Sequence, residues 1–151
     1  MQTQRANARF LRQAKNAHYI FPVLDNQPTL FDRVNALDWK PVPVAARTED
    51  RDRGRHEVRT IQVLPAPEDL NFPHTARVFL IERTVTEQGR TSYQAMLYVT
   101  SLSVDQASPA DLLAHVRGHW TVEVLHWVRS PGVAQPVAGR CVGRHADGFC
   151  R

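Results

Sequence analysis

The apolar positions of this chain fall into stretches with different periods, and the sharpest lies between Ser108 and Arg129. There Leu112, Leu113, Val116, Trp120, Val124 and Trp127 recur at steps of three and four, which predicts one apolar stripe along a helix. Ser108 is suited to the N-cap, Pro109 to the first turn, and Asp111 puts a carboxylate at the positive end of the helix dipole. A second stripe, about 100° round the helix, carries His115, His119, Glu123 and His126. Glu123 is therefore expected at the rim of a buried face, among polar groups.

The rest of the chain reads as alternating elements. Ala6, Phe10, Leu11 and Ala14 predict a helix from Gln2 to Asn16. The run His18–Leu24 is short, aromatic and β-branched, as a buried strand would be, with Pro22 at its end or at an edge. Asp25–Pro28 is a turn, and a helix follows from Thr29 to Leu37 with Leu30, Phe31, Val34 and Leu37 facing inward. Trp39 is expected to pack just beyond it. Residues 40–44 are broken by prolines. Residues 47–55 carry mixed charge, ending near Gly54, and are expected to form a solvated loop. Strands are predicted over Glu57–Leu64, Ala76–Thr86 and Ser92–Ser101, the last two joined by a hairpin turn at Glu87–Gly89. Beyond Arg129 lie four of the seven glycines and both cysteines, with neither a helical nor a strand period. That stretch is expected to be a poorly ordered tail.

With 151 residues the chain suits one domain able to bury a core, in the α/β (α+β) class. No apolar run is long enough to span a membrane and no apolar signal segment opens the chain, so the expected location is cytoplasmic. The formal charge is +4 and arginine supplies most of the positive groups. Arginine suits phosphate recognition because its planar fork bonds two oxygens at once, although arginine spread along a whole chain also arises without any such role. Cys141 and Cys150 provide neither a disulfide framework nor a usual zinc pair.

Several groups could carry chemistry. His115, His119 and Glu123 share a helix face, and Glu123 with His126 makes an E-x-x-H pair of the kind used in helical metal sites. The plainer alternative is a set of polar boundary residues beside two tryptophans. His56-Glu57 lacks the second histidine of H-E-x-x-H and reads as a solvated strand start. Asp50 and Asp52, flanked by arginines, read as paired loop charges. No Gly-rich phosphate loop and no G-x-S-x-G elbow is present.

The segment R-G-H-W-T-V-E-V-L-H-W-V-R, Arg117 to Arg129, resembles the acidic-residue helix of bacterial insertion-sequence transposases of the DDE type. T-Q-R-A-N-A-R-F-L at Thr3–Leu11, D-N-Q-P-T-L at Asp25–Leu30, G-R-H-E-V-R-T-I-Q-V at Gly54–Val63 and Y-V-T-S-L at Tyr98–Leu102 resemble the same family in the same order. The resemblance implies a partial RNase H-like fold. Residues 1–39 would be a remnant of its core, 40–107 a β-rich insertion, 108–129 the helix bearing the acidic residue, and 130–151 a disordered or frameshifted tail. It implies DNA transposition, with carboxylates holding Mg²⁺ for in-line attack on a DNA phosphate. Glu123 matches the third carboxylate of the family, hence a catalytic and metal-binding role. Arg117, His119 and Arg129 match motif positions expected to contact DNA.

The chain also departs from the family's pattern. The family's two other carboxylates have no match, Val124 replaces the usual Asn after Glu123, and Ser130-Pro-Gly replaces the acidic continuation after Arg129. The expectation is a transposase fragment inactive alone, with transposon-end DNA and intact transposase as partners and no membrane. Two alternatives stand beside it. One is a non-catalytic DNA-binding or transposase-inhibiting fragment; the other is a hydrolase with a helical His/Glu metal site.

Overall fold

Two hairpins with the same turn chemistry build the body of the protein, a computed structural model of which describes residues 5–24, 27–118, 144–145 and 148–149. The first joins strand β2 (Ala46–Asp52) to β3 (Arg55–Pro65); the second joins β4 (Arg77–Glu87) to β5 (Arg90–Thr100). Their two-residue loops are Arg53-Gly54 and Gln88-Gly89, and all four residues have positive φ, as a type I′ turn requires. Glycine takes this conformation without steric cost, which explains its place at the second position of each loop. A short strand β1 (Ile20–Pro22) closes the other edge, giving a five-stranded sheet in the order β1-β5-β4-β3-β2. Every neighbouring pair is antiparallel.

Helices cover both faces of one half of this sheet. On the first face lie α1 (Arg5–Arg9), a π-helical turn (Phe10–Ala14) and α2 (Pro28–Asn35). The predicted helix over residues 2–16 thus appears from Arg5 onward but loosens at Phe10, where the Lys15 amide reaches back five residues to the Phe10 carbonyl at 3.2 Å. Leu30, Val34 and Trp39 pack there against Phe21, Val78, Leu80, Leu97 and Val99. The Trp39 indole donates to the Val34 carbonyl at 3.0 Å, and the Gln62 amide donates to the Trp39 carbonyl at 2.9 Å. No helix is long and apolar enough to cross a membrane among the described residues.

On the second face a helix over residues 109–118, α3, lays Leu112, Leu113 and Val116 on Ile61, Phe79, Ile81 and Tyr98. Phe79 and Tyr98 stack there, with ring centroids 4.9 Å apart. β4 is therefore buried on both sides: Val78 and Leu80 enter one core, Phe79 and Ile81 the other. That explains its continuous apolar run, V-F-L-I, in place of a strict alternation. Between β3 and β4 a single 3₁₀ turn, Glu68–Leu70, buries Leu70 against the first face.

The chain before residue 40 and the strands after it share one sheet and one core, so the boundary at 39/40 marks a change of sequence character within a common body. The architecture is mixed α/β with an antiparallel sheet. One expectation is corrected: residues 47–55 are not a solvated loop but belong to the first hairpin, most of them to edge strand β2, which pairs with β3 from Ala46↔Ile61 to Asp52↔Arg55. An edge strand whose outward positions are charged shows no apolar period. Its register comes from the I′ turn and from the cross-strand contact of Glu49 with His56 of β3 at 2.7 Å; Arg47 and Arg51, on β2 itself, also reach Glu49 at 2.9 and 3.0 Å. Near the C-terminus β6 (Arg144–His145) pairs with β7 (Gly148–Phe149), two residues to a strand.

Candidate functional site

The start of α3 is fixed before its apolar face docks. Ser108 and Asp111 form a reciprocal cap: the Ser108 amide and hydroxyl donate to Asp111 Oδ2 at 2.9 and 2.8 Å, and the Asp111 amide donates to Ser108 Oγ at 3.2 Å. The bond from the serine holds the Asp111 carboxyl below its usual range. The loop leading into the helix is gathered by Arg77, 4% exposed, which donates to the carbonyls of Leu102, Ser103 and Ala107 at 2.8–2.9 Å. Residues 109–118 thereby run across the second face toward β2.

That direction brings Arg117 to the sheet edge. Its Nη2 lies 2.9 Å from Asp50 Oδ2 on β2, with both side chains about half exposed. Register puts Asp50 opposite Glu57, and Arg59 opposite Arg83. Asp50, Glu57, Arg59 and Arg83 therefore share the face on which α3 lies. Glu57 is not a solvated strand start, as its sequence context suggests; it is 7% exposed and held among guanidinium groups. Arg83 grips it with a fork, Nε to Oε1 at 3.0 Å and Nη2 to Oε2 at 3.1 Å. Arg55 Nη2 donates to Oε2 at 2.8 Å, and Arg59 Nη2 contacts Oε1. Gln94 on β5 accepts from Arg83 Nη1 at 3.1 Å.

The electrostatics follow from that crowding. Burial pushes the Glu57 carboxyl up, but the hydrogen bonds and charge of Arg83, then the charges of Arg59 and Arg55, outweigh it, and it titrates below the usual range. Arg59 is drawn down, first by burial and then by Arg83 and Arg117, against the pull of Glu57 and Asp50. A guanidinium survives such a shift as a cation. Next to α3 the arginines 55, 59, 83 and 117 face the carboxylates of Glu57 and Asp50, leaving positive charge in excess. Farther along the same face Asp52 and Glu87 are acidic and Arg90 is basic.

This arrangement can hold an anion near Arg117. It does not fit a metal. Among the described residues no three His, Cys, Asp or Glu side chains gather closely enough to hold one, and Glu57 and Asp50 already face guanidinium groups. His115, on the predicted polar stripe, is exposed. Glu123, His119 and Arg129, together with His126, lie outside the described residues.

A second polar group joins β1 to the end of β5. His18 Nδ1 lies 3.2 Å from Ser101 Oγ, which accepts the Tyr19 amide at 2.9 Å. Gln106 Nε2 and Arg12 Nη1 lie 3.1 and 3.4 Å from His18 Nε2. The Gln106 carbonyl accepts from the Ser103 amide at 3.0 Å, which orients its amide as a donor toward the imidazole. The proton is accordingly assigned to Nδ1, which donates to Ser101. A serine nucleophile needs the opposite polarity, so the pair is a clamp rather than a catalytic dyad.

Of these residues, sequence reasoning named Arg117 as a candidate, read Glu57 as a solvated strand start and did not single out the His18–Ser101 pair. The sequence signal for Glu57 was an arginine two positions to either side, Arg55 and Arg59 sharing its strand face, and it becomes decisive only with Arg83 in register. No family model, curated protein or solved structure matches the chain.

Proposed function

We propose that this chain is part of a bacterial insertion-sequence transposase of the DDE type, and that the end of α3 and the adjoining face of β2, β3 and β4 meet the backbone of transposon-end DNA. One observation carries the reading. Arg117, the first residue of the R-G-H-W-T-V-E segment, stands half exposed beside the arginine-rich face, where a phosphate can reach it. An RNase H-like core, a cytoplasmic location and Mg²⁺ bound through Glu123 belong to the same proposal and rest on the motif resemblance.

By itself the chain is proposed to bind DNA without cutting it. The one carboxylate that matches the family's metal-binding set is Glu123, and Glu57 and Asp50 on the basic face are engaged by arginine. A chain of this kind is also suited to compete with, or join, intact transposase at the DNA ends. The test is a gel shift with transposon-end or arbitrary duplex DNA over a salt series. Electrostatic binding weakens by roughly 0.9 log units per tenfold salt for each phosphate neutralised. Absent or salt-independent binding refutes the reading. Mg²⁺-dependent nicking that is lost in Glu123→Gln would refute the non-cutting part alone.

A further inference from the structure

We infer that Asp50 is a built-in competitor for the phosphate that Arg117 is proposed to bind: its carboxylate occupies the guanidinium of the free protein and is displaced when DNA arrives. The inference rests on the proposed function above and deepens it. The pair links two separate elements, edge strand β2 and the end of α3, at 2.9 Å. A carboxylate offers a guanidinium the same acceptor geometry as a phosphodiester, so the two cannot use the same donors together.

The contact is also weak enough to be exchanged. Arg117 is 48% exposed at its side chain and Asp50 43%. Ion pairs so open to water contribute little to folding. Glu57 behaves differently: its side chain is 9% exposed and shared by Arg55, Arg59 and Arg83, and no anion displaces it without opening the sheet face. The face thus contains one fixed carboxylate that sets the arginines and one exchangeable carboxylate that guards them. Removing Asp50 leaves Arg117 beside Arg59 with less negative charge to offset them, which favours an incoming anion.

The experiment is equilibrium binding of the 151-residue chain to a short fluorescent DNA duplex at low salt. The variants are Asp50→Asn, Arg117→Ala, the double variant and Glu68→Gln. Glu68, exposed on the 3₁₀ turn, loses the same formal charge away from the face. Asp50→Asn is expected to bind about two- to fivefold more tightly than the natural chain, the range set by an exposed ion pair. Glu68→Gln is expected to change binding by less than half as much on that logarithmic scale. Arg117→Ala is expected to weaken binding more in the Asp50→Asn background than in the natural one.

A gain from Asp50→Asn no larger than that from Glu68→Gln overturns the inference while leaving DNA binding intact. So does an equal cost of Arg117→Ala in both backgrounds. A natural chain that binds no duplex at low salt overturns the inference together with the proposed function.

Discussion

Replacing Glu57 by Gln removes one negative charge from among three guanidinium groups and keeps the side chain's size. Four hydrogen bonds or ion contacts converge on its two oxygens, from Arg55, from Arg59 and twice from Arg83. Side-chain exposure is 9% for Glu57, 11% for Arg59 and 22% for Arg83, against 44% for Arg55. Two largely buried arginines would therefore lose the carboxylate they share, while Arg55 could turn to water. Breaking a buried ion pair from one side costs about 3–5 kcal/mol, and partial exposure of Arg83 argues for the lower half of that range. The expected loss is about 3–4 kcal/mol, a large share of the stability typical of a domain.

Urea unfolding followed by circular dichroism measures that loss as a fall in midpoint at constant slope. Glu49→Gln is the control, because Glu49 also meets Arg47, Arg51 and His56 but on the solvated edge. The pH dependence has a definite sign. The Glu57 carboxyl titrates below its ordinary value of 4.5, so its contribution is complete above that pH. It is lost as pH falls from there through the folded-state value. A Glu57→Gln loss no greater than that of Glu49→Gln, or one unchanged at acid pH, would refute the reasoning.

Three further outcomes are expected. Arg77→Met should cost about 2–4 kcal/mol, because it strips the donors from three carbonyls and frees the loop before α3; urea unfolding checks it. Trp39→Ala should cost about 3–5 kcal/mol by the same measurement, since Trp39 is 1% exposed within the first core. Burial raises the Tyr19 hydroxyl from 10.0 to about 12, against the opposing pulls of the Thr75 hydrogen bond and Arg12. Its contribution is whole below pH 10 and is lost as pH rises toward 12; an ultraviolet titration in which Tyr19→Phe removes no tyrosine step near pH 12 would contradict this.

The elements legible in the sequence were those whose burial is written in their own period. Leu112, Leu113 and Val116 announced α3, Leu30 and Val34 announced α2, and the apolar run of β4 announced a strand. β2 was illegible because it is a strand without an apolar face: its pairing is specified by the Arg53-Gly54 turn and by side-chain charges on its neighbours. Glu57 was misread for a related reason. A carboxylate beside arginines looks solvated until a strand 26 residues away supplies the fork that lets it be buried. Of the candidate DNA-contacting residues, Arg117 was named through the motif resemblance, while its partner Asp50 depended on β2 existing at all.

The order of strands also sets an order of assembly. β2, β3, β4 and β5 are neighbours in sequence and in space, so each pairing closes a short loop. β1 alone must return across the chain, joining Ile20 to Thr100 through three residue pairs. Its closure brings the costliest loop for the fewest hydrogen bonds, which makes it the natural last step of folding and the first to open. Amides of Phe21 and of Val99 should then exchange with solvent by a sub-global opening that leaves the β3–β4 ladder protected. The first apolar core, which Phe21 enters from that strand, would loosen with it while α3 stays docked on the opposite face.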